Sequence, residues 1–273
     1  MIDNPRSPRV RAVAKLARRD ARSQTGLFLL EGPQAVAEAL AFRPQLVVEL
    51  YATPTAIERY SDIAHSAAEA GIDVEFVSEQ VLDSMADTVT PQGLIAVCRQ
   101  FPTSVKEILG GGAEGNGPRL IAILEEVRDP GNAGTIIRAA DAAGADGVIF
   151  TGRSVDLYNP KVVRSSTGSI FHLPVAVGAE FEIVIEKAKA AGMQLLAADV
   201  KGDDLLSARQ DGLLTKSTAW VFGNEARGLT DEHLALTDRA ITVPIYGHAE
   251  SMNLATAASV CLYESAFAQR SST

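Results

Sequence analysis

Cysteine is nearly missing from this chain: 273 residues contain two, Cys98 and Cys261, far apart and at no metal-ligand spacing. A disulfide-stapled scaffold and a cysteine-based zinc site are therefore excluded, and a reducing compartment suits the pair. The four histidines (His65, His172, His233 and His248) form no HExxH or His/Cys cluster, so no metal is expected. No apolar run approaches the ~20 residues of a membrane helix. The basic N-terminus lacks the apolar core of a signal peptide, so the expectation is a cytoplasmic protein with no membrane partner. What is present is ordinary for a globular chain, 47% hydrophobic and 22% charged, and long enough for one large domain or two small ones.

The net charge of −9 argues at first against a nucleic-acid partner. Its distribution argues otherwise. Residues 1–24 carry seven cations (Arg6, Arg9, Arg11, Lys15, Arg18, Arg19 and Arg22) against Asp3 and Asp20. A local basic element on an acidic body can bind phosphates, and it can equally be a solvated helix face.

The first hundred residues alternate helical and strand patterns. "SPRVRAVAKLARRDARSQ" spaces Val10, Val13, Leu16 and Ala17 as one helix, and "AIERYSDIAHSAAEAG" reads as another. "GLFLLEG", "LVVELYAT", "DVEFVS" and "GLIAVCRQ" read as strands. Glycines then cluster from Gly110 to Gly117, before Pro118, without apolar periodicity. This reads as a linker, because a phosphate-cradling glycine loop follows a strand and opens a helix, whereas this one precedes a strand. The expected division is a domain over 1–100, a linker over 101–118 and a second domain over 119–273. In the second, "LIAILE", "GVIFTG", "MQLLAAD", "AWVFG" and "AITVPI" are apolar strand-length runs separated by helical stretches, and "ESMNLATAASVCLYESAFAQ" fits one long helix. That pattern implies an α/β fold with a parallel sheet covered by helices.

Ligands of open parallel sheets bind beyond the carboxyl ends of the strands, and three of these strands end in unusual residues. "RDPGNAGTIIR" makes a turn through Asp129, Pro130, Gly131 and Asn132 and then a helix carrying Arg138; "NEARGL" supplies Glu225 and Arg227; "YGHAESMNLA" places Ser251 to cap the last helix. Singly each has a plain reading: a surface arginine, a turn asparagine, a surface ion pair, a cap, a first-turn polar residue. Their joint placement at strand ends points to one crevice shared by Arg138, Glu225, Ser251 and Asn253. The first strand of this domain is not followed by GxGxxG, which speaks against a nucleotide-dependent oxidoreductase.

Together "EEVRDPGNAGTIIRAADAAGADGVIF", "FGNEARGL" and "VPIYGHAESMNLATAASVCLYE" resemble the three motifs of the SpoU/TrmH family of RNA 2′-O-ribose methyltransferases, in that order, from about Arg119 to the C-terminus. "LFLLEGPQAVAEAL" and "PQGLIAV" resemble the attached substrate-binding domain, which is similar to ribosomal protein L30e. The resemblance implies a deep trefoil knot, S-adenosylmethionine in its loops, and a homodimer whose active site draws on both chains. It carries catalytic-site positions onto Asn132, Arg138, Glu225, Ser251 and Asn253. It carries cofactor positions onto Gly223, Asn224, Glu225, Val243, Ile245, Met252 and Leu254, with Met252 where leucine is common. Arg9, Lys15, Arg18, Arg19 and Arg22 gain weight as RNA anchors. The implied reaction is methylation of an RNA ribose, with ribosomal RNA ahead of tRNA; a non-catalytic RNA-binding protein with a degenerate site is the alternative. A guanidinium hardly ever deprotonates, so Arg138 reads more easily as stabilising the alkoxide than as a base. Glu225 would hold either Arg138 or a nearby backbone group.

Overall fold

The computed structural model describes residues 1–110 and 117–271. The chain packs as two compact units, one made of Met1–Phe101 with Asp156–His172, the other of the remainder. The stretch 156–172, expected in the C-terminal domain, thus folds with the first unit. So does the answer to the linker divide: residues 102–110 belong to the second unit, and the glycine-rich part, 111–116, lies outside the described residues. The ordered part forms the helix Val105–Leu109, closed by a reciprocal Ser104/Glu107 capping box. Its Ile108 and Leu109 are buried in the second unit's core, which apolar periodicity over five residues is too short to reveal.

In the first unit, β1 (Leu27–Glu31), β2 (Val47–Ala52), β3 (Val74–Phe76) and β4 (Leu94–Arg99) form a mixed sheet in the order β1-β4-β2-β3. β4 runs antiparallel to both neighbours, and β2 and β3 are parallel. Val10, Val13 and Leu16 pack with Val81, Leu82 and Met85 over Leu29, Tyr51, Ile95 and Val97. Phe28, Tyr158 and Phe171 cluster with Phe101, the Phe28 and Tyr158 rings 4.8 Å apart. Both long N-terminal helices are broken. The first splits into Pro8–Lys15 and Arg19–Thr25, and the second into Pro54–Arg59 and Ser61–Glu69. The first break is held by Arg22, whose Nη1 donates to the carbonyls of Leu16 (2.9 Å) and Ala17 (2.8 Å).

The second unit carries β5 (Leu120–Glu125), β6 (Gly147–Thr151), β7 (Val175–Ala179), β8 (Gln194–Asp204), β9 (Thr218–Phe222) and β10 (Arg239–Thr242). They form a wholly parallel sheet in the order β10-β8-β9-β5-β6-β7. β5, β6 and β9 are buried from end to end, as central parallel strands are. One face holds Ile121, Ile123, Val221 and Leu195 under Phe181, Val184 and Ile185. On the other, the helices Pro130–Ala143 and Leu254–Arg270 pack together, and the Trp220 indole donates to buried Ser265 at 2.9 Å. β7 was not legible in the sequence: it is a short edge strand, half exposed, with Gly178 inside it. β8 pairs with β10 at Leu196–Ala197 and again at Asp203–Asp204, so residues 198–202 loop out opposite the Ala240–Ile241 bond. Gly202 there has no room for a side chain against the backbone of Ala240 and Ile241.

Cys98 and Cys261 are both buried free thiols, and burial pushes each up to about 12. Neither is a thiolate at neutral pH. A thiol-disulfide reagent at pH 8 is expected to titrate no cysteine in the native protein over minutes, and both in urea. A fast native thiol would contradict this burial.

Candidate active site

The carboxyl ends of β5, β9 and β10 lie along one edge of the parallel sheet. After β5, Glu126 takes a left-handed conformation, φ 51°. For a residue other than glycine this costs about 1–3 kcal/mol and persists only where the surroundings enforce it. The following helix starts at Pro130. Asp129 is its N-cap, accepting from the Asn132 amide at 2.8 Å. Asn132 therefore lies in the first helical turn rather than in a loop.

After β9 the chain turns on glycine. A Cβ on Gly223 would lie 2.6 Å from the Gly228 carbonyl carbon and 2.7 Å from the Leu229 nitrogen. Asn224 and Gly228 exchange backbone hydrogen bonds (3.2 and 2.8 Å), and Gly228 has φ +66°. The result is a narrow hairpin whose tip exposes Glu225, Ala226 and Arg227. Each polar side chain of that hairpin grips the β5 loop. The Asn224 amide donates to the Glu126 carbonyl at 2.9 Å. Glu225 accepts from the backbone amides of Arg128 (3.1 Å) and Asp129 (2.9 Å) and from Asn132 Nδ2 (3.3 Å). Arg227 forms an ion pair with Glu126. Of the two roles open for Glu225, holding backbone is the one observed. A carboxylate suits that place, because amides at a helix start are without intrahelical acceptors and carry partial positive charge.

After β10, residues 243–253 have no regular structure. The last helix begins at Leu254, not near Glu250. Its cap is Asn253, whose Oδ1 accepts from Ala255 (3.0 Å) and Thr256 (3.2 Å). Ser251, expected as that cap, is exposed two residues earlier, because the longer asparagine reaches both amides from the adjoining position. Asn253 Nδ2 donates to Asn132 Oδ1 at 3.0 Å. One orientation of the Asn132 amide thus gives to Glu225 and takes from Asn253, so three loops distant in sequence meet in one chain of contacts. Val243, Met252 and Leu254 are half-buried around it and Ile245 is 37% exposed.

Arg138 is carried by the same helix as Asn132. It is exposed, six residues beyond Asn132 on the same helix. That spacing is about 9 Å of rise and about 240° of rotation, so the two side chains leave different faces. Sequence reasoning missed Glu126, because nothing in two adjacent glutamates signals a left-handed backbone. It also missed Glu125, buried beside the site with Thr151 Oγ1 donating to it at 2.5 Å and His233 at 3.8 Å.

The N-terminal cations divide. Arg22 is 2% exposed, its guanidinium bound to Asp156 and to the two carbonyls described above, so it is withdrawn as an RNA anchor. The Leu16 and Ala17 carbonyls at the helix break are filled by the buried Arg22 guanidinium. Arg9 pairs with Glu49 and Glu75, and Arg18 with Asp20, while all of Arg9, Lys15, Arg18 and Arg19 remain at the surface.

Residues 119–263 match the model of the SpoU rRNA Methylase family, and residues 29–104 that of RNA 2′-O ribose methyltransferase substrate binding. The chain belongs to the SpoU rRNA methylase family. It is 34% identical over 262 residues to the 23S rRNA (guanosine(2553)-2′-O)-methyltransferase RlmP of Bacillus subtilis (strain 168), covering 96% of this chain and 97% of that one. The AdoMet-bound rRNA methyltransferase of Sinorhizobium meliloti superposes with TM-score 0.79 at 29% identity, over 97% of this chain and 96% of that one. The SpoU methyltransferase AviRb of Streptomyces viridochromogenes, in complex with AdoMet, gives 0.80 at 29% identity, over 98% and 100%. In this SpoU methylase, then, the ends of β5, β9 and β10 and the segments that follow them lie within the residues matched to the family, and the oxidoreductase alternative falls away.

Proposed function

We propose that this protein transfers a methyl group from S-adenosylmethionine to a ribose 2′-hydroxyl of 23S ribosomal RNA, as a cytoplasmic homodimer. The observation that carries the reading is the contact chain Glu225–Asn132–Asn253, which draws three motif loops to one edge of the sheet. S-adenosylmethionine supplies a methyl group already activated on a sulfonium sulfur, so no metal is called for. The residues present suit it. Val243, Ile245, Met252 and Leu254 offer partly exposed apolar surface for an adenosine, beside the backbone of Gly223, Asn224 and Glu225.

A 2′-hydroxyl is a poor nucleophile. Holding two reactants in line supplies up to about 7–11 kcal/mol, and the rest needs charge stabilisation at the developing alkoxide. Arg138 supplies that charge and grips the adjacent phosphate, while Asn253 and Ser251 orient the ribose. Because Arg138 leaves a different helix face from Asn132, it serves the partner's crevice across a two-fold axis. Residues 29–104 select a structured RNA by shape and unpaired loops.

Calorimetry with S-adenosylmethionine, followed by methyl transfer to 23S rRNA and tRNA transcripts, tests this. Binding with transfer to 23S rRNA is expected, and mapping ribose methylation in cells with and without the gene names the nucleotide. Transfer to tRNA alone would move the substrate, and no cofactor binding would leave an RNA-binding protein.

Lys15, Arg18 and Arg19 are three of the exposed cations of the N-terminal element, beside Arg6, Arg9 and Arg11. Replacing all three by glutamine is expected to weaken RNA binding and lower the salt slope by about 2, each phosphate contact contributing about 0.7–0.9. An unchanged slope would return the segment to a solvated helix face.

A further inference from the structure

The Glu126–Arg227 pair lies outside the residues that the motifs mark as catalytic or cofactor-binding. Glu126 is one of only two residues other than glycine with positive φ among the described residues. Its side chain is 18% exposed, with Arg227 on it and Arg128 3.9 Å away. Its carbonyl is held by Asn224. The two amides that Glu225 accepts from lie two and three residues beyond it, at Arg128 and Asp129. Gly152, φ +58°, adds a close wall: a Cβ there would lie 2.9 Å from Glu126 Cγ.

From these contacts we infer that Glu126 and Arg227 form a latch that forces the β5 loop into its left-handed turn, and that this turn aims the Arg128 and Asp129 amides at Glu225 and so sets the Gly223–Asn224 backbone. Both are positioning residues. Without the ion pair, the backbone of Glu126 relaxes toward the right-handed or extended regions open to it. The two amides then swing away from Glu225, and the hairpin loses its fixed spacing to the loop. The latch itself stands on geometry alone. Its consequence for cofactor affinity rests on the methyltransferase reading above.

The test uses the full chain and a glycine at position 126, which adopts the left-handed turn without help. Arg227→Met should speed hydrogen exchange at the Arg128 and Asp129 amides about tenfold and weaken S-adenosylmethionine binding about tenfold, with kcat at saturating cofactor nearly kept. Arg227→Lys, which keeps the charge, should restore most of both. In a Glu126→Gly background the same Arg227→Met change should alter exchange and affinity less than about twofold, since the strain it opposed is gone. A contribution of Arg227 that does not run through Glu126 would cost the same in both backgrounds. The latch is overturned if Arg227→Met leaves the exchange of those two amides untouched, or if its effects are equal in both backgrounds. Should the wild-type chain bind no S-adenosylmethionine, the methyltransferase reading falls, and the exchange measurements alone still decide for or against the latch.

Discussion

Arg138→Ala is expected to cut methyl transfer by about 10²–10³-fold, the loss typical of removing a donor from a developing oxyanion. Calorimetry should find S-adenosylmethionine affinity within about threefold of wild type, because an interaction made only in the transition state leaves ground-state binding alone. The helix itself is not at risk, since alanine is a better helix former than arginine and the position is exposed. The position of Arg138 adds a second arm to the experiment. If Arg138 acts in the partner's crevice, mixing Arg138→Ala protomers with Asn253→Ala protomers creates sites in which both residues are intact. Random exchange makes half the dimers mixed, each with one complete site of two, so activity should return to about a quarter of wild type. Mixtures that stay inactive would place Arg138 and Asn253 in the same protomer's site or remove one of them from the reaction. Near-normal turnover by Arg138→Ala alone would remove it altogether.

The largest effect on folding is expected at Arg22. Its guanidinium is buried against Asp156, with Nε and Nη2 at 2.9 and 2.5 Å from Oδ2, while Nη1 satisfies the Leu16 and Ala17 carbonyls. Arg22→Ala strands a carboxylate that is 20% exposed together with two carbonyls. Removing one partner of a buried pair costs about 3–5 kcal/mol, a large share of the roughly 5–15 kcal/mol that holds a domain folded. Urea unfolding followed by circular dichroism should show the first unit melting at a far lower denaturant concentration. Arg22→Met combined with Asp156→Leu should recover much of the loss, because the uncompensated charge goes too. An Arg22→Ala protein with wild-type stability but weakened RNA binding would reverse this and restore Arg22 to the RNA surface.

The contrast between Arg22 and its neighbours shows where sequence reading stops. Seven cations in 24 residues look alike as letters, and the pattern says only that they flank an apolar stripe. Whether one turns inward depends on a helix break at Leu16–Arg18 and on an aspartate more than a hundred residues away. The split of the Pro54–Glu69 helices and the edge strand Val175–Ala179 were hidden for a related reason. Short elements carry too few periodic positions to show their type, and packing against neighbours decides them.

At the site, the asparagines make the same point more finely. That Asn132, Glu225 and Asn253 lie in the segments that follow strands was legible, because apolar runs that stop at polar, glycine-rich turns mark the edge of a parallel sheet. That Asn253 rather than Ser251 caps the last helix was not, since both are good caps and the point where the helix begins decides which of them adjoins it.

The sequence by itself determined the α/β class, nine of the ten strands among the described residues and the three segments whose polar side chains meet at one edge of the sheet, because burial on both faces writes continuous apolar runs and turns need glycine, proline or asparagine. Only the tertiary structure decided that Glu225 grips backbone, that Arg22 is interior and that Glu126 bends left-handed. Those outcomes come from contacts between segments far apart in the chain, whose spacing no local pattern encodes.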